Sequence, residues 1–261
     1  WDGFTANPLS FFDFLGGGMS SHGGIYGITV AAGIYAWYTK KSWIGLGDNL
    51  VVVAPLGVFF GRLANFVNGE LFGRPTDAAI AMKFPGELHE WRDGRPLYPL
   101  EDLRQLATRA SETAPDLVAQ VEDKITTATA NGSSAHHAVV EHIIEISRQN
   151  EAFREMLGEI LTSRHPSQLY EAAVEGLIPF LMLLAIRLRW KNAWHGILTG
   201  TFFIYYAIAR IIVENFREPD AAFIMGMTRG QFYSLFMILT GIAFLVYATK
   251  VKRTNQLPER A

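Results

Sequence analysis

Five long apolar blocks, residues 23–39, 49–66, 169–186, 193–213 and 230–249, constrain this chain more than any other feature of it. A helix needs roughly 20 largely apolar residues to cross the hydrocarbon core of a bilayer. Lipid offers no partner to a backbone N–H or C=O, so such blocks are driven into helices. The blocks therefore predict an all-α polytopic membrane protein with about five transmembrane helices. The first block is short and rich in glycine (Gly23, Gly24, Gly27, Gly33), residues that let membrane helices approach closely.

Positive charge in the short loops gives an orientation. Lys40 and Lys41 follow the first block, Arg187, Arg189 and Lys191 the third, and Lys250, Lys252 and Arg253 the last, so these three ends are expected to be cytoplasmic. Three regions follow. Residues 1–74 hold an external segment and two spans ending in an Arg/Asn-rich stretch; residues 75–168 form an external, mostly helical head; residues 169–261 hold three spans with a cytoplasmic C-terminus. The head opens on Pro75, Pro85, Pro96 and Pro99. It continues in amphipathic runs, Leu103, Leu106, Ala107, Ala110 and Phe153, Met156, Leu157, Ile160, Leu161, that predict helices. Asn131, Gly132, Ser133 and Ser134 read as a loop. The chain opens on Trp1 without a signal pattern, and an outward N-terminus calls for an even number of earlier spans, so it reads as a piece lacking its start.

A net charge of −2 and a pI near 6.4 give no basic excess for a nucleic-acid partner. With no cysteine, any thiol chemistry must use a substrate's thiol. Trp37, Tyr38, Trp190 and Trp194 near span ends are interfacial aromatics. His136, His137, Glu141 and His142 look like a metal cluster, but a run of adjacent histidines belongs more readily to a solvated helix face, and no metal ligand is assigned.

Ionisable side chains inside spans are costly and are read as functional by default. The second block closes on Gly61 to Arg74, with Arg62 and Asn65 on one helix face. The fourth closes on Ala209 to Asp220, where Arg210, Glu214 and Arg217 stand at i, i+4 and i+7, expected on one face as well. Loop charge brings both clusters to the outer leaflet with His22, His165, Gln168 and Tyr170. Guanidinium forks donate paired hydrogen bonds to phosphate oxygens, which suits a phospholipid headgroup, and Glu214 can orient an arginine. Either arginine alone could be an anchor snorkelling to the interface, and Arg210 with Glu214 could be a structural pair. His22 could be a base or a helix cap.

Gly61-Arg62-Leu63-Ala64-Asn65-Phe66-Val67-Asn68-Gly69-Glu70-Leu71-Phe72-Gly73 resembles the signature Gly-Arg-x-Gly-Asn-Phe-x-Asn-x-Glu-x-x-Gly of the phosphatidylglycerol:prolipoprotein diacylglyceryl transferases. Family-like stretches recur at His22-Gly23-Gly24, at His165 to Glu171, at Arg210 to Asp220 and at Gly230-Gln231, so the resemblance covers nearly all the chain outside residues 76–163. Ala64 replaces the family's second glycine, the external stretch is longer than the family's, and two of the family's seven spans are absent.

The resemblance implies transfer of diacylglyceryl from phosphatidylglycerol to the lipobox cysteine of a prolipoprotein, next to its signal peptide, at the periplasmic face of the bacterial inner membrane. A thioether forms, glycerol phosphate leaves, and no cofactor is required. Its expected catalytic residues are Arg62, Arg210, His22 and Glu214. Its expected substrate-binding residues are Asn65, Asn68, Glu70, Gly73, His165, Gln168, Tyr170 and Arg217, among membrane lipids. A transporter or flippase for an anionic substrate is the rival, but it would place charge at the midplane of repeated halves. A Mg²⁺-dependent phosphatidyl transferase would need an aspartate cluster, and Asp48 stands alone.

Overall fold

The computed structural model describes residues 21–92, 94–112, 116–130, 134–218 and 223–254. In chain order its helices are α1 (Ser21–Tyr38), α2 (Trp43–Asn68), α3 (Leu100–Arg109), α4 (Leu117–Ala130), α5 (Ala135–Gln149), α6 (Glu151–Ile160), α7 (Ser167–Arg189), α8 (Ile197–Val213) and α9 (Arg229–Val251). Four two-residue strands, β1 (Met82–Lys83), β2 (Trp91–Arg92), β3 (Arg95–Pro96) and β4 (Ser163–Arg164), accompany them. All five apolar blocks are helical, and the chain is an all-α multi-pass membrane protein. By length and composition α2, α7 and α9 can each cross a bilayer. The apolar α8 is shorter, at 17 residues, and α1 is diluted by glycine and aromatic residues. Of the expected loop at residues 131–134, Asn131, Gly132 and Ser133 lie outside the described residues, and Ser134 caps α5, its Oγ accepting from the His137 N–H at 3.4 Å.

The chain divides into two compact units. The first draws on Trp1–Val53, Leu183–Ile204 and Leu239–Ala261. Its buried anion is Asp48, which accepts from the N–H groups of Gly196 (2.7 Å) and Thr199 (2.8 Å) and from Thr199 Oγ1 (2.6 Å). That carboxylate satisfies orphan donors at the start of α8, where the helix dipole favours negative charge. Asp48 is thus a cap supplied by another helix. A Cβ on Gly200 would lie 2.8 Å from the Gly241 carbonyl oxygen, so glycine lets α8 and α9 touch backbone to backbone here.

The second unit draws on Ala54–Met182 and Tyr205–Ile238. Its part between the long apolar helices is built from α3 to α6 around a core of Leu103, Leu106, Val121, Val139, Ile143, Phe153 and Leu157, each at most 3% exposed. The amphipathic periodicity places these side chains inward. Asn150 ends α5 and begins α6, its Oδ1 accepting from Phe153 N–H at 3.0 Å, so one residue makes the corner between them.

A small junction of extended chain lies where α2, α7 and α8 end or begin. β1 pairs antiparallel with β4, Pro75 bridges Arg164, and Gly73 bridges Arg217. Gly73 N–H donates to His165 O and Arg74 N–H to Phe216 O, both at 2.9 Å. Three distant segments are thereby fixed by main-chain bonds. A Cβ on Gly73 would meet His165 Cβ at 2.7 Å and overlap the Phe216 carbonyl oxygen, which accounts for glycine there.

Candidate active site

The site grows from a carboxylate buried in an apolar helix. After its first turn α7 widens into a π-helical segment, Ala172–Leu177, a form that is rare and concentrated at functional positions. Glu171 just precedes it, Glu175 lies within it, and both are fully buried. Gly176 makes room alongside, since a Cβ there would lie 2.7 Å from the Phe59 backbone of α2. Two unpaired carboxylates would be prohibitive to bury, so each needs cationic partners.

Three arginines supply them. Glu171 Oε2 lies 2.7 Å from Arg62 Nη2 of α2, 3.2 Å from Arg210 Nη1 of α8 and 3.1 Å from Arg217 Nη1. Glu175 Oε1 takes a second contact from Arg210 Nη1 at 3.2 Å, and Tyr206 Oη donates to Glu175 Oε2 at 3.4 Å. Arg210 Nη2 stands 3.2 Å from Glu214 Oε2, close enough for ion pairing but without hydrogen-bond alignment. The arginine side chains stay 7 to 19% exposed while the Glu171 and Glu175 side chains they meet are fully buried. Among the described residues, Glu171 Oε1 and Glu214 Oε2 accept no hydrogen bond.

The expected common helical face of Arg210, Glu214 and Arg217 is corrected in one respect. α8 ends at Val213, and Arg217 arrives from the extended segment bridged to Gly73, with its carbonyl oxygen accepting from Arg74 Nε at 2.7 Å. It meets Arg210 at Glu171 all the same, through the turn at residues 214–216 and the bridge to Gly73 instead of helical periodicity.

The remaining expected residues gather around Glu70 and around His165. Asn68 Nδ2 donates to Glu70 Oε1 at 3.3 Å, and the Asn65 amide, with its nitrogen assigned toward Glu70, donates to the same oxygen at 3.1 Å. Gln168 is fully buried, its Nε2 donating to Glu70 O at 2.7 Å. His165 Nδ1 lies 3.2 Å from Tyr170 Oη, and both rings pack edge-on against Phe216. His22 opens α1, but its side chain lies outside the described residues.

A second ionic knot sits beside the junction. Arg164, 1% exposed, is held by Glu87 Oε1 at 2.7 Å and Glu218 Oε2 at 3.2 Å, with Glu90 at 4.0 Å and the Phe72 ring 4.9 Å below its guanidinium. Burial pushes the Glu90 carboxyl above the usual carboxylate range; Arg164 pulls the other way, and Glu218 and Glu87 add to the rise. One group of the described residues has donors suited to a metal, His89, His137 and Glu141, and none of the three belongs to the arginine cluster.

A family model described as prolipoprotein diacylglyceryl transferase matches residues 3–247. The chain belongs to this family. The phosphatidylglycerol–prolipoprotein diacylglyceryl transferase of Bdellovibrio bacteriovorus is 36% identical over 240 residues, covering 90% of this chain and 67% of that protein. The enzyme of the same name from Burkholderia cenocepacia is 34% identical over 259 residues, covering 97% and 72%. Membership makes the chain a membrane transferase and gives no support to the transporter alternative. In this transferase the residues that sequence reasoning missed are Glu171, Glu175, Arg164 and Glu87. The signal for the first two was available, because two carboxylates one turn apart inside an apolar block are as anomalous as the arginines at block ends.

Proposed function

We propose that this chain transfers the diacylglyceryl group of phosphatidylglycerol to the thiol of the lipobox cysteine that follows a prolipoprotein's signal peptide, at the periplasmic face of the inner membrane. The observation that carries the proposal is the convergence of Arg62, Arg210 and Arg217 on Glu171 at the ends of spans, with their side chains not fully buried. Family membership and the activity for which the relatives are named support the substrates.

The cysteine sulfur attacks the glyceryl carbon that carries the phosphate ester. A carbon–sulfur bond forms, the carbon–oxygen bond breaks, and its electron pair leaves on the phosphate oxygen as the phosphodiester becomes a monoester. Negative charge grows on that phosphate, and donors already aimed and partly dried stabilise it without reorganising. Glu171 keeps the three arginines in place before the lipid arrives. The thiol proton goes to a base, for which His22 is the first candidate because imidazole titrates in the working range. Glu214, with an oxygen that accepts no hydrogen bond, is the alternative. Gly73 shapes the backbone of the junction, and Asn65, Asn68 and Gln168 hold Glu70.

The test is incubation of the full-length protein with phosphatidylglycerol and a lipobox peptide, followed by mass spectrometry. A diacylglyceryl adduct on the cysteine with release of glycerol phosphate is expected. Unmodified peptide from protein that still binds the lipid would overturn the assignment.

A further inference from the structure

The part of the second unit between the long apolar helices carries a cluster that the transfer reaction does not use. His137 and Glu141 stand one turn apart on α5, and His89 faces them from the end of the 3-10 turn Pro85–His89. His89 Nε2 is 3.0 Å from Glu141 Oε1, and the His89 and His137 rings lie 5.0 Å apart, centroid to centroid. One donor atom from each of the three residues falls within 4.8 Å of the other two. A helical i, i+4 pair completed by a histidine from a second element is a donor set that first-row divalent cations accept.

Both backbones are fixed before any ion arrives. The residues just before His89 are Glu87, locked to Arg164 and to the Thr162 N–H (2.9 Å), and Leu88, which is fully buried in the core. On α5 the neighbouring His136 is buried, with Nε2 2.9 Å from the Tyr98 carbonyl oxygen. The three donor side chains themselves are partly or largely exposed, so they can rotate to the roughly 3.4 Å donor separations that a tetrahedral zinc ion with bonds near 2.1 Å requires.

We propose that His89, His137 and Glu141 bind a zinc-like divalent ion that ties the 3-10 turn to α5. Two imidazoles and one carboxylate leave the fourth position to water. The site stiffens a wall, because His89 also lines a groove of about 570 Å³ whose lining includes Glu70 and Arg217. A bare His89–Glu141 hydrogen bond is the competing use of the same atoms, and it takes up no metal.

The experiment uses the whole chain in detergent, with any affinity tag removed and metal stripped by chelator, titrated with Zn²⁺ alone and, separately, with Co²⁺. One zinc per chain is expected, with a rise in melting temperature on loading and the visible absorption of tetrahedral cobalt. His137→Ala and Glu141→Gln, both exposed changes, should each weaken zinc by about 10-fold or more while leaving the metal-free melting temperature unchanged. Zinc uptake that neither variant alters would overturn the assignment, as would the absence of stoichiometric binding in the unaltered chain.

Discussion

At the scale of single residues, the arginines matter for the shape of their donors as much as for their charge. Arg210 touches Glu171 and Glu175 through one nitrogen and lies beside Glu214 through another, a spread that a single ammonium cannot reproduce. Arg210→Lys should therefore lower transfer by on the order of 10²-fold in a phosphatidylglycerol–peptide assay. Near-normal turnover would reduce Arg210 to an interfacial anchor. His22→Gln keeps hydrogen bonding but loses proton acceptance. Lipid binding should persist while transfer falls by on the order of 10²-fold, recovering in part at higher pH as the peptide thiol ionises unaided. A normal rate from pH 6 to 9 would move the proton to Glu214. Glu90 gives a pH signature of a different kind. Its folded pKa lies above the ordinary 4.5, so the folded state favours the neutral form and loses stability as pH climbs from 4.5 through the raised value. Glu90→Gln should then raise the melting temperature at pH 8, by an increment worth under ~1 kcal/mol because the group is partly exposed, and should have little effect below pH ~4. An equal shift at both pH values would show that charge is not the cause.

Among elements, the junction that clasps α2, α7 and α8 depends on one missing methyl group. Gly73→Ala would force His165 and the Phe216 carbonyl apart, an overpacking cost of about 1–3 kcal/mol that also shifts the segment carrying Arg217. Transfer should drop by at least ~10-fold along with the melting temperature, in keeping with the sensitivity of reacting geometry to displacements near 1 Å. Wild-type values for both would make the close approach dispensable. The helices themselves were legible in the sequence because burial in lipid leaves a run of apolar residues no alternative, and the core shared by α3 to α6 was legible from the spacing of Leu103, Leu106 and Leu157. The arginines were legible for the complementary reason, as charges in forbidden places. Arg164 and Glu87 were not, since both lie in polar stretches where charge is ordinary and their pairing spans 77 positions of sequence. The end of α8 at Val213 was equally hidden, because Arg210, Glu214 and Arg217 keep helical spacing beyond the last helical residue.

For the molecule as a whole, α3 to α6 own a closed apolar core, and their charges are interspersed over the surface without a basic patch. Shortening residues 100–160 should leave phosphatidylglycerol binding intact while changing which precursor peptides are modified and removing zinc uptake. Loss of lipid binding on that deletion would place part of the headgroup site in these helices. The ionic composition of the arginine cluster reaches further still. Three guanidiniums stand against the carboxylates of Glu171, Glu175 and Glu214, a balance that leaves little net field beyond the Debye length of about 8–10 Å. On the proposed headgroup role, such a site would not summon anions from a distance and would sort those that drift past in the plane of the membrane by how well their oxygens match a fixed set of donors. Selection among the anionic lipids of one leaflet would then rest on contact geometry and be largely indifferent to the salt in the medium.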